Sequence, residues 1–258
     1  MKRNFLFGAC RPLKEAQLLA DAGFDFIEGS VPDFLKPTVD DESFRPQLEA
    51  LRSSPIPIRS CNGFIPGTFR LTGPEPTTEA ALDFAETACR RADLADIKYI
   101  VFGSAGARNC PDGFSKDEAI CQFTDFCRAL AERIKDCKVT VVLEPLSPPE
   151  ANFLNRVSEG LEIVKAVASP RIKLLADFYH MLCVGESAKS IEDAGDAILH
   201  CHIAEKEGRL FPGCSGEDFS PFFEALRKIG YAGGVSCEGV WKDVKSDLPV
   251  AIEYMKRY

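Results

Sequence analysis

The stretch 138-KVTVVLEPLSPPE-150 decides the fold. Val139 to Leu143 are β-branched or aliphatic, the composition of a strand covered on both faces. The run ends on a carboxylate, Glu144, and Pro145 follows at once, where sheet pairing must stop. The same design recurs on both sides. Upstream lie 5-FLFGAC-10, 24-FDFIEG-29, 56-IPIRSCN-62 and 98-KYIVFG-103; downstream lie 171-RIKLLAD-177, 199-LHCHIAE-205 and 233-GGVSCEG-239.

Helical patterns follow each strand. They cover 12–23, opening on Pro12 and closing on Gly23, a helix within 40–54, and 78–96, which Thr77 or Thr78 can cap. The others cover 115–136, 158–169, 188–198, 218–230 and 244–258, and 104–114 reads as loop. Eight strand-then-helix units of roughly 30 residues predict a single (β/α)8 TIM barrel spanning 1–258. A doubly wound sheet would call for a Gly-rich phosphate turn after the first strand, and no GxGxxG stands there.

Composition narrows the function. The formal charge is −8, so a phosphate backbone gains little here and nucleic acid is not the expected partner. No apolar run reaches the length of a membrane span. The opening 1-MKRNFLFGAC-10 reads as a first strand rather than a secretion signal. Eleven cysteines, odd in number and without a CxxC, fit a reducing cytoplasm better than a disulfide framework. Cys89, Cys121 and Cys127 read as small buried hydrophobes in helices.

In a TIM barrel, catalytic groups sit at the carboxyl ends of the strands. Glu144, Asp177, His202 and Glu238 all fall there, on four consecutive strands, separated by 33, 25 and 36 residues. Each alone has an ordinary explanation: a solvated loop acid, a turn cap at 177-DFYH-180, a core histidine, a rim charge. Their recurrence at one βα unit apiece points to a shared site. Three carboxylates and one imidazole suit one hard divalent cation, Mn2+ first, with Mg2+ or Co2+ as alternatives. By strand parity Cys201 and Cys237 face the helices, and His200 faces inward one layer below His202. Glu28, closing the second strand, is a candidate group behind the ligands. The loop 62-NGFIPGTFRL-71 is expected to cover the site with apolar walls. Trp241 is expected to stack on a ligand or to pack against the first strand.

The segments 143-LEPLSPPEANFL-154, 177-DFYHM-181, 200-HCHIAEKEGRLFPGCSGE-217 and 230-GYAGGVSCEG-239 resemble the sugar-phosphate isomerase/epimerase family of xylose-isomerase-like barrels. That family includes ketose 3-epimerases, hydroxypyruvate isomerases and inosose dehydratases. The resemblance implies that Glu144, Asp177, His202 and Glu238 are metal ligands, with Glu144 and Glu238 also the acid/base pair. It implies substrate contacts from His180, Arg209 and Glu150. Arg209 lies seven residues after His202, the hydroxypyruvate-isomerase spacing, where epimerases often have six; Glu207 stands where a proline is usual. The implied substrate is a small sugar or hydroxy-carbonyl compound. The implied reaction is proton transfer next to a carbonyl through an enediolate. The resemblance also leaves room for a dehydratase, for a non-catalytic sugar-binding barrel and for a homo-oligomer. The related three-zinc endonucleases would need more than three histidines and a basic groove.

Overall fold

The computed structural model describes residues 5–258; residues 1–4 of the opening segment lie outside the described residues. Eight parallel strands close into a barrel in chain order: β1 (Leu6–Cys10), β2 (Phe26–Ser30), β3 (Ile58–Asn62), β4 (Tyr99–Phe102), β5 (Thr140–Leu143), β6 (Ile172–Asp177), β7 (Ile198–Ile203) and β8 (Gly234–Cys237). β8 pairs back onto β1 and removes both sheet edges. The expected TIM barrel is therefore the fold.

Strand parity sorts the core into two layers. Val141, Leu143, Ala176, Cys201 and Cys237 belong to the apolar shell between sheet and helices, as the alternation predicts for the two cysteines. Val101, Val142 and Leu175 point the other way and fill the barrel interior, with Tyr99 and Leu199 beside them. Small residues make room inside. A Cβ on Gly8 would stand 2.2 Å from the Phe26 ring, so the aromatic fills the space that Gly8 leaves.

The long helices are Asp41–Arg52, Thr78–Leu94, Lys116–Arg133, Val157–Val167, Ser220–Lys228 and Val244–Met255. The Asp40 side chain accepts from Ser43 N–H and the Ser115 side chain from Glu118 N–H, each fixing a helix start. Among the described residues, no helix is long and apolar enough to cross a membrane.

Several local expectations are corrected. Thr77 does not cap its helix with its side chain; its hydroxyl accepts from Arg70 N–H and braces the preceding loop. The segment 104–114 contains a helical turn, Ala105–Arg108, whose last side chain is fully buried. The helix expected over 188–198 is only Lys189–Ala194, because Gly195 breaks it and a 3-10 turn leads into β7. A separate short helix, Phe178–Cys183, follows β6 directly. Cys121 is exposed, on the solvent side of its helix, while Cys89 and Cys127 are buried as expected. Phe64 packs edge-on against Phe102, which meets Phe123 and Phe126, so this loop aromatic joins the outer core rather than walling the site.

Candidate metal centre and its surroundings

The closed register brings the strand-end residues together. Asp177 pairs with His202 across β6–β7, and His202 pairs with Ser236 across β7–β8. Glu238 lies one inward-facing step beyond Ser236, and Glu144 follows β5 with its N–H on the Phe102 carbonyl. One donor atom each from Glu144, Asp177, His202 and Glu238 then lie within 4.8 Å of one another. His202 Nδ1 is the hub, at 2.9 Å from Glu144 Oε1, 3.5 Å from Glu238 Oε2 and 3.9 Å from Asp177 Oδ2.

Asp177 fills both roles read from its position. Its Oδ1 accepts from the N–H groups of Tyr179 and His180, starting the short helix, while Oδ2 faces the cluster. That cap sets His180. Its Nδ1 accepts from Ser147 N–H at 3.0 Å, so a neutral ring carries its proton on Nε2. Nε2 is buried with no hydrogen-bond partner among the described residues; it points at the site, 3.7 Å from Asp177 Oδ2 and 4.0 Å from Glu150 Oε1.

Arg209 reaches the same space from the turn Glu207–Arg209. Gly208 takes φ 65° and Arg209 φ 50°, a left-handed conformation that costs a non-glycine residue roughly 1 kcal/mol. The segment that follows, 213–216, is gathered by Glu205, a fully buried carboxylate that accepts N–H groups from Gly213, Ser215 and Gly216. Arg209 then donates to Glu150 Oε1 at 3.0 Å and to Glu238 Oε2 at 2.5 Å, with its guanidinium 4.7 Å over the Tyr179 ring. All seven residues singled out from the sequence thus meet in one place.

Glu28 is a further member. It lies inside β2 rather than at its end, and it is fully buried. Oε1 stands 2.9 Å from His202 Nε2; Oε2 stands 2.7 Å from His200 Nε2 and accepts from Ser60 Oγ at 2.6 Å. His200 does sit one layer deeper than His202, as parity predicts. The contact with Glu28 takes up Nε2 of His202 and leaves Nδ1 for the cluster, the usual way a carboxylate orients a ligating imidazole. Cys10, Glu28 and His202 form a second close group. Glu28 is already committed to three partners, and burial with the Glu28 charge pushes the Cys10 thiol well up, so this group is a poor thiolate site.

Electrostatics tie these groups together. Burial favours a neutral His202, but the charges of Glu28, Glu238 and Glu144 outweigh it and hold the imidazole well above its ordinary range. Burial raises Glu144, against the pull of His202. Burial also opposes ionisation of Glu238, yet His202 and Arg209 bring it down to about 2. Five carboxylates (Glu28, Glu144, Glu150, Asp177, Glu238) face three imidazoles (His180, His200, His202) and one guanidinium, so acidic groups outnumber basic ones. An oxygen-rich, anionic pocket with one imidazole nitrogen fits a hard divalent cation.

Two residues near the centre have no counterpart in the strand-end pattern as read above. Asn62, the last residue of β3, donates from Nδ2 to Glu238 Oε1 at 2.7 Å. The strand-end rule that found the other four applies to it as well; only its uncharged side chain kept it out of view. Arg108 lies beneath the loops, donates its hydrogen bonds to backbone carbonyls and sits 5.3 Å over the Phe153 ring, and no local signal marks it. Trp241 stacks on Phe211 at 5.3 Å with an interplanar angle of 5°, and Arg11, just after β1, lies 5.9 Å over it. Its ring is therefore occupied by protein.

Residues 16–258 match the family model described as a xylose isomerase-like TIM barrel. The chain belongs to that family. Within it, the D-psicose 3-epimerase of Enterocloster bolteae is 30% identical over 135 residues, 47% of this chain and 44% of the relative. A protein named putative hydroxypyruvate isomerase from Drosophila melanogaster is 32% identical over 120 residues, 45% of this chain and 46% of the relative. In both cases the match spans less than half of the relative's own length. Among solved structures, the apo form of a 3-keto-D-glucoside 4-epimerase from E. coli superposes with a TM-score of 0.83, covering 98% of this chain and 100% of that one at 20% identity. That likeness shows the fold.

Proposed function

We propose that this chain is a divalent-metal-dependent isomerase or epimerase of a small sugar or similar hydroxy-carbonyl compound. The observation that carries the reading is the convergence of four donor atoms within 4.8 Å, with His180 Nε2 and Arg209 facing the same space. Glu144, Asp177, His202 and Glu238 would hold the cation. Mn2+ suits this donor set best, followed by Mg2+ and Co2+. When bound, the cation supplies Lewis-acid polarisation of a carbonyl and its neighbouring oxygen.

The remaining chemistry falls to side chains. Glu144 and Glu238 approach the cluster from β5 and β8, on either side of the His202 hub, so a substrate lying between them meets one carboxylate on each face. One takes the proton from the carbon beside the carbonyl, and a carboxylate returns it. Return to the opposite face gives epimerisation; return to the neighbouring carbon gives isomerisation. His180 donates from Nε2 to a substrate oxygen. Arg209 and Glu150, already paired, hold further hydroxyls and shield the site from water. The names of the relatives support this chemistry, since a ketose 3-epimerase, a 3-keto-glucoside 4-epimerase and a hydroxypyruvate isomerase share a hydroxylated carbon next to a carbonyl.

The test is incubation of Mn2+-loaded protein with ketoses, hydroxypyruvate and inososes in D2O. Deuterium entering the carbon beside the carbonyl is the expected result and names the substrate. Product that has lost water would reassign the chain to the dehydratases. No exchange with any of these compounds would leave a sugar-binding barrel.

A further inference from the structure

We propose that Asn62 is a positioning residue of the metal centre: its side-chain amide fixes which oxygen of Glu238 faces the donor cluster. The inference rests on Glu238 being a ligand and proton carrier, as proposed above. The two oxygens of Glu238 are not equivalent. Oε2 stands 3.5 Å from His202 Nδ1, while Oε1 is turned away and accepts from Asn62 Nδ2 at 2.7 Å. β1 and β2 separate the strands that carry the two residues, so only barrel closure makes the contact.

Glu238 lies just beyond the last residue of β8, with its N–H still on the Ile203 carbonyl; Arg209 holds Oε2 at 2.5 Å, and Asn62 supplies the hold on Oε1. Asn62 is itself held inside β3, in register with Ser30 of β2. Its amide donates without ionising, so it adds no charge to a pocket already crowded with acids. Hydrogen-bonded outer partners of ligating carboxylates typically control metal affinity by about 10–100-fold. Asn62 also borders a cavity of about 210 Å³ beside Cys10, Arg11, Ser30 and Asp33. Asn62 thus touches both this cavity, on the β1–β3 side, and the Glu238 carboxylate.

The decisive variant is Asn62→Leu, similar in size and without a donor, with Asn62→Ser as a second in case the first folds poorly. Mn2+ is titrated calorimetrically into chelator-treated wild type and variants, and thermal unfolding of the metal-free proteins is recorded alongside. The expected result is Mn2+ affinity lower by about 10–100-fold in both variants with metal-free Tm nearly unchanged. With the substrate identified and Mn2+ saturating, kcat should fall by up to about 10²-fold while KM holds. Wild-type Mn2+ affinity in both variants overturns the positioning role and leaves the proposed function standing. Wild type that binds no divalent cation overturns both.

Discussion

The guanidinium of Arg108 donates to the backbone carbonyl of Glu144 at 3.4 Å and to that of Gly103 at 2.6 Å. It donates as well to the carbonyls of Phe153 and Leu154. A fully buried cation thus gathers the ends of β4 and β5 and the loop behind them. Burial pushes its guanidinium down to about 10, which still leaves it charged at neutral pH. This side chain braces the backbone that presents Glu144, alongside the Glu144 N–H bond to the Phe102 carbonyl.

Arg108→Met should therefore lower the unfolding free energy by about 3–5 kcal/mol, because four carbonyls lose a charged donor in a dry interior. Urea denaturation followed by circular dichroism measures it. A loss under about 1 kcal/mol would mean that the carbonyls find other partners.

Glu238→Gln keeps the shape of the side chain and an oxygen for Asn62, but removes the carboxylate. Carbonyl-adjacent deuterium exchange should drop by about 10²–10⁴-fold with the fold intact, the range for losing a positioned acid/base group. Mass spectrometry of the recovered substrate reads it. Turnover near the wild-type rate would take Glu238 out of proton transfer.

Gly103 gives room to the other carboxylate. A Cβ there would stand 2.4 Å from Glu144 Oε2 and 3.4 Å from Leu146. Gly103→Ala should cost about 1–3 kcal/mol of stability through overpacking. It should also weaken Mn2+ binding by about 10-fold or more, because Glu144 has to move. Calorimetric titration showing undiminished affinity would place Glu144 outside the metal centre.

Thiol chemistry checks the packing. Cys121 is exposed, whereas Cys61, Cys89, Cys110, Cys127, Cys201 and Cys237 are buried. Burial raises the thiols of Cys61, Cys89 and Cys127 and pushes Cys201 up to about 12, so their thiolate fraction at pH 8 is negligible. A disulfide reagent at pH 8 should modify Cys121 in the native protein, and the six buried thiols only after denaturation. Peptide mapping that finds Cys201 or Cys237 labelled in native protein would contradict their placement behind the sheet.

The strand ends were the legible part of the site. Glu144, Asp177, His202 and Glu238 recur once per βα unit, and that spacing survives folding because a barrel preserves chain order around its rim. The direction of Cys201 and Cys237 followed from strand parity for the same reason. Local readings failed where a neighbouring loop or the other helix face won: Thr77 spends its hydroxyl on Arg70, seven positions back, and Cys121 turns to solvent on a helix whose other face fills the core.

By itself, the sequence determined the repeating strand–helix alternation, the parallel barrel and the four strand-end residues that converge, since these follow from a pattern that recurs once per βα unit. Barrel closure decided the rest. Glu28 meets His200 across 172 positions and Asn62 meets Glu238 across 176, while Arg108 meets the Glu144 carbonyl across 36. None of these pairs leaves a periodic trace in the chain. They exist because curving the sheet into a ring brings the inward side chains of different strands to a common axis, where buried polar groups must find partners in each other.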